Sequence, residues 1–189
     1  MSFTAIAGAA PRFVDVRFDA AGRALRCSGN TVLAHLGAGP ATEALMDARD
    51  AIAAAGGDRV LALLPPASWH MTLFDGVLHD IRAPERWPCG LAPEAPAAEA
   101  DRFMMAALRA APQPGTFRLR PLGLGVNAAG MFLHLKGADP REEARLRGFR
   151  DDLARLTGLA HRPDHYSYRF HVTLAYLIAP VPAKLAPGL

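Results

Sequence analysis

The sequence predicts an α+β protein with a duplicated, two-lobed fold. Each lobe is an antiparallel sheet with helices on its outer face, and a pseudo-twofold relates the lobes around a central cleft. Three observations predict it. Apolar residues alternate in short runs and recur at helical spacing in longer ones. The order strand, strand, helix, strand reads twice along the 189 residues. Features of the first half also return in the second at a nearly constant offset: His70 to His171 and Thr72 to Thr173 at 101 residues (171 − 70), and His35 to His134 at 99 (134 − 35). The chain, 1–189, reads as a single domain, with a first lobe over about 12–80, a proline-rich connector and helix over 81–115, and a second lobe over 116–180.

In chain order, "VDVRFD" and "TVLAHLG" read as short strands around the turn-rich "AAGRALRCSGN". A helix follows, with Pro40 near its start, Leu45, Ala48, Ile52 and Ala55 on one face, and Gly56-Gly57 as its stop. The run "RVLALLPPASWHMTLFDGVL" is two strands hinged at Pro65-Pro66, since proline is excluded from a strand interior. Next come the loop "RAPERWPCGLAPEAPA" and the helix "AEADRFMMAALRAA", with Met104 and Met105 as core and Pro112 closing it. The second half opens with "FRLRPLGLGVNAAGMFLHLKG", two strands around an Asn-Ala-Ala-Gly turn. Asp139 is then an N-cap, Pro140 the first helical residue and Glu142 the reciprocal capping-box residue. Leu146, Phe149, Leu153 and Leu156 form that helix's apolar stripe, Gly158 ends it, and "YSYRFHVTLAYLI" is the last strand.

Composition bounds the class of function. With 51% hydrophobic and 21% charged residues the chain buries a full core, which excludes a disordered protein. The net charge of +3 permits an anionic partner without requiring one. Cys27 and Cys89 stand in no metal or redox spacing, which fits a reducing cytoplasm. The start "MSFTAIAGAAPRF" lacks the early charge and apolar core of a secretory leader, and no run approaches the length of a membrane span. The expectation is a cytoplasmic monomer with no membrane association and no obligate protein partner.

The chemistry concentrates in "HMTL" and "HVTL". Strand alternation puts Ser68, His70 and Thr72 on one face and Trp69, Met71 and Leu73 on the other. Likewise Arg169, His171 and Thr173 oppose Phe170, Val172 and Leu174, and the same parity sends Tyr168 and Tyr176 to the core. The tetrapeptide alone is a weak signal. The aromatic before each histidine, the apolar residue after it and the shared offset make it specific.

These residues resemble the two-histidine (2H) phosphoesterase superfamily, which includes bacterial RNA 2′,3′-cyclic phosphodiesterases and proteins once named 2′-5′ RNA ligases. The resemblance covers both lobes, and "LLPPASWHMTLFDGV" and "YRFHVTLAYLI" are similar to a bacterial branch that departs from the RNA-processing enzymes in most other segments. It implies a metal-independent hydrolase without cofactor, acting on a small nucleotide-like or RNA-end cyclic phosphate. His70 and His171 would be its acid and base, and Thr72, Thr173 and Arg169 its phosphate-holding residues. One neutral imidazole accepts a proton from water while a protonated one donates to the departing sugar oxygen.

Other readings stand beside this one. A non-catalytic nucleotide- or RNA-binding module would use the same cleft with both histidines as phosphate donors. An RNA-binding protein would use Arg141, Arg145, Arg147, Arg150 and Arg155, but Glu142, Glu143, Asp151 and Asp152 interleave with them and suggest an ordinary solvated face. His35 and His134 either line the cleft or hydrogen-bond within each lobe. His161 and His165 of "HRPDH" have a metal-like spacing, yet only Asp164 adds to them, which reads as a polar loop.

Overall fold

The order of the elements follows the proline and glycine punctuation of the chain. The computed structural model describes residues 6–183. It runs β1 (Gly29–His35), α1 (Pro40–Ala54), β2 (Leu61–Leu63), β3 (His70–Leu78), α2 (Ala97–Arg109), β4 (Leu119–Asn127), β5 (Gly130–Gly137), α3 (Pro140–Leu156) and β6 (His171–Leu177). Proline opens α1 and α3, where its missing N–H costs no hydrogen bond. The Asp139 carboxylate accepts the Glu142 N–H at 2.9 Å, as an N-cap does.

All six strands are antiparallel neighbours in one sheet, ordered β1-β3-β6-β5-β4, with β2 beside the far end of β6. The two halves therefore share a continuous surface. At the centre of the sheet β3 and β6 meet at a single pair, Met71 against Val172. These residues are counterparts at the 101-residue offset, so the pseudo-twofold passes between them. The equivalent pairs flank it: His35 against His70 on one side, His134 against His171 on the other. Beneath the sheet, Trp69, Met71, Leu73, Phe170, Val172 and Leu174 pack with Leu146 and Leu153 of α3 in one core. Among the described residues no helix is long and apolar enough to cross a membrane.

The symmetry breaks where β2 lies. Leu61 pairs with Leu177 and Leu63 with Ala175. The offset carries these pairs to Arg162 against Gly76 and Asp164 against Phe74, where the second half has no strand. Arginine side chains take the place of one. The buried Arg162 donates to the carbonyls of Asp75 (2.5 Å) and Gly76, and Arg150 donates to the carbonyl of Leu73 at 2.7 Å. Burial lowers the pKa of both guanidiniums, which nevertheless remain cations because arginine starts so high.

Several expectations need correction. Residues 14–19 form no strand, only isolated bridges of Val14 with Phe18 and Phe18 with Ala24. Asp15 has a φ of 61°, and the Asp19 carboxylate accepts the Ala21 and Arg23 N–H groups, so local turns use the backbone groups a strand would need. The first half thus reads strand, helix, strand, strand, and only the second has the expected order. The final strand begins at His171, because 166–170 make turns and irregular backbone. Ala55 lies past the end of α1, exposed, and Met105 of α2 is 49% exposed while Met104 is buried. Glu142 does not close the capping box: its carboxylate accepts from the Arg118 N–H and from Arg145. Of the five α3 arginines, Arg141 and Arg155 stay on the expected solvated face and three leave it. Arg145, Arg147 and Arg150 reach to the backbone carbonyls of Pro114, Tyr168 and Leu73.

Candidate active site

Where β3 and β6 part after their single pair, their upper faces open into a cleft of about 970 Å³. Extending the Met71–Val172 register by one residue sets His70 beside Thr173 and Thr72 beside His171. The histidines are thus a diagonal pair on neighbouring strands, and antiparallel geometry spaces such positions by about 7–8 Å. That leaves room for a phosphate between them. The cleft is lined by His70, Thr72, His171, Thr173 and Arg169 together.

Both histidines are held by the same device. His70 Nδ1 lies 2.7 Å from the carbonyl of Ser68, and His171 Nδ1 lies 2.8 Å from the carbonyl of Arg169. In each, Nδ1–H donates to the carbonyl two residues back. This leaves Nε2 as the nitrogen that exchanges protons. Ser68 contributes this carbonyl, while its hydroxyl turns away to the carbonyl of Pro65. The surroundings differ. His171 is walled by the Phe132 ring edge-on at 5.2 Å and by Tyr168 at 6.1 Å, and Arg169 beside it is exposed and makes no ion pair among the described residues.

His35 and His134 flank the central pair, each with its ring 6.4 Å from its neighbour's. They part in role. His134 lines the cleft and rests against bare backbone at Gly125, where a Cβ would collide with its ring. Burial, then the charges of His171 and Arg169, lower its pKa. His35 is exposed and lies at the edge of a separate apolar groove of about 520 Å³ beside α1.

Tyr176, expected in the core, lines the cleft instead, and Tyr168 packs against the core as expected while also lining the cleft. The β5–β6 register slips between Met131 and Phe132, which leaves an extra residue at Leu174. This bulge reverses the parity beyond it and turns Tyr176 upward. Tyr168 precedes the strand, so alternation never governed it. Its ring lies under Arg150, with the guanidinium carbon 3.9 Å from the centroid. Burial and the nearby Asp75 carboxylate raise its pKa, against the opposing pull of Arg150 and the Thr72 hydroxyl. No bulge signal exists in "HVTLAYL". A glycine or proline would have marked one.

The "HRPDH" histidines stay apart: His165 Nε2 meets Asp151 at 2.7 Å, and His161 Nε2 meets the Pro84 carbonyl at 3.0 Å. Among the described residues no three of His, Cys, Asp or Glu gather into a metal-holding group.

This geometry can be set beside known proteins. A family named 2H-phosphodiest, described as a domain of unknown function (DUF1868), matches residues 17–129, more than half the chain. The chain belongs to this family. The match includes His70 and stops short of His171. The second half is covered by a solved structure, the conserved protein of unknown function ATU0111 from Agrobacterium tumefaciens str. C58. It is 32% identical over 94% of this chain and 75% of that one, with a TM-score of 0.81. TT0787 of Thermus thermophilus is 22% identical over 79% of this chain and 75% of that one, with a TM-score of 0.49. No curated protein matches. Membership in a 2H phosphodiesterase-like family makes a phosphoesterase the class of activity to test.

Proposed function

We propose that the protein is a metal-independent phosphoesterase that opens a cyclic phosphodiester, a 2′,3′-cyclic nucleotide, an RNA cyclic-phosphate end or a related cyclic phosphate. The observation that carries this reading is the matched anchoring of His70 and His171, with Nδ1 committed to backbone and Nε2 free on a diagonal that a phosphate spans. Water attacks phosphorus while one neutral histidine takes its proton. The bond from phosphorus to one sugar oxygen breaks, and the other, protonated, histidine gives that oxygen a proton. The product is a phosphomonoester. Thr72, Thr173 and Arg169 hold the non-bridging oxygens, where negative charge must be stabilised during attack. Because both histidines share one anchoring device, the orientation of the substrate decides which acts as base.

The test is a screen of 2′,3′-cyclic mononucleotides, an RNA oligomer with a cyclic-phosphate end and ADP-ribose cyclic phosphate, each followed for ring opening. The isomer formed identifies the oxygen that leaves. Tight binding with no ring opening of any of them would replace the enzyme with the binding-module reading.

A further inference from the structure

The cleft is symmetric at its centre and asymmetric at its ends. At the 101-residue offset the counterpart of Tyr176 is Asp75, and the two stand at opposite ends of the cleft. The Asp75 end is already neutralised by its own groups. Arg86 pairs with Asp164 at 3.1 Å, and Arg162 is committed to backbone carbonyls.

The Tyr176 end has positive charge with no such partner. Arg12 and Arg17 line it, and among the described residues neither makes an ion pair or a side-chain hydrogen bond. Of the two acids in this loop, Asp19 holds Arg23 at 2.7 Å, and Asp15 makes no ion pair with either arginine among the described residues. The two guanidiniums are positioned rather than loose: they lie 5.5 and 5.1 Å from the centroid of Phe13. Phe13 and Phe18 in turn pack on Tyr176 at 5.6 and 4.7 Å. The loop is tied to the sheet through the Arg12 N–H and the Ala128 carbonyl at 2.9 Å, and it closes on itself through Arg17 N–H to Phe13. A pair of arginines pre-set by an aromatic ring and unpaired in a cleft suits a phosphate, whose oxygens take two forked donors at once. Tyr176 follows Thr173 by three residues, about 10 Å of strand. A nucleoside with phosphates on both sides of its sugar bridges such a span.

We propose that Arg12 and Arg17 form a subsite for a second phosphate, so that the substrate is a cyclic phosphodiester carrying another phosphate across its nucleoside. This rests on the phosphoesterase reading of His70 and His171. The second phosphate comes either from a 5′-phosphorylated mononucleotide or from the preceding linkage of an RNA end.

The experiment compares kcat/KM on adenosine 2′,3′-cyclic phosphate with a 5′-hydroxyl, the same compound with a 5′-phosphate, and an adenylyl dinucleotide ending in the cyclic phosphate. The wild type should prefer one or both of the last two by about tenfold or more, the scale of one charge-assisted contact. Which of them is preferred identifies the source. In Arg12→Ala/Arg17→Ala the ratio should fall to near one. A wild-type ratio near one, or a ratio that survives the double substitution, overturns the subsite. If no compound is opened, the phosphoesterase reading alone fails, and calorimetry decides the subsite using adenosine 3′,5′-bisphosphate and adenosine 3′-monophosphate. Binding of the bisphosphate about tenfold tighter in the wild type, lost in the double variant, supports it, and equal affinities overturn it.

Discussion

The two histidines are pinned at Nδ1 by carbonyls two residues back. His70→Ala and His171→Ala should each lower turnover of a cyclic phosphodiester by about 10²- to 10⁴-fold. The double variant should fall by less than the product, because the pair serves one transition state. Thr72→Val and Thr173→Val, each keeping the shape and removing one hydroxyl, should be milder. Steady-state kinetics on the opened substrate checks all five variants. His134 makes a separate prediction. Its folded pKa lies below the ordinary histidine value of 6.5, so the unfolded chain binds the extra proton more readily. The stability this adds is complete above about pH 6.5 and is lost as the pH falls through the folded value. His134→Gln, which cannot charge, should therefore lose less Tm between pH 7 and pH 5 than the wild type does. An equal loss would place the acid sensitivity elsewhere. At this scale the sequence identified the residues that strand parity governs. It misplaced Tyr176, which lies beyond a bulge, and for Tyr168, which is not in a strand, it found the core contact and missed the cleft.

Among the elements, α3 has the clearest sequence signature and a direct test. Asp139→Ala removes the acceptor for the Glu142 N–H and should cost about 1 kcal/mol in denaturant unfolding. Asp139→Asn should retain most of it. The free edge of β3 is the opposite case. Arg162 covers carbonyls that a strand covers in the other half, so Arg162→Ala should leave them buried and unpaired, at a cost of about 2 kcal/mol or more. Arg162→Lys keeps the charge but lacks the fork, and should recover only part of the loss. The same denaturation experiment reads both. No local pattern announces this role, because an arginine in "HRPDH" reads as loop until the opposite strand edge is in view.

For the whole molecule, the meeting of two halves in one sheet makes a cleft to which each half contributes one histidine and one threonine of the His-x-Thr-Leu motif. If His70 and His171 act as acid and base, the rate should follow a bell-shaped pH profile, since one must be neutral and the other protonated. EDTA should leave that rate unchanged. Loss of activity in EDTA and its return with a divalent cation would transfer the chemistry from the histidines to a metal.

By itself the sequence determined the fold class, the helices, most strands, the doubling and the His-Thr pairs, because these depend on periodicity, punctuation and spacing carried by neighbouring residues. The tertiary structure decided what depends on distant partners. It joined β3 and β6 at Met71 and Val172 into one sheet, and beyond that pair it left the β3 edge to arginine donors instead of a strand. It dissolved the expected strand at 14–19, whose backbone closes on itself, and brought Phe13 with its two arginines to the cleft. It also buried arginines of α3 and the 161–165 loop against carbonyls far away in the chain, since a buried acceptor must find a donor wherever the fold supplies one.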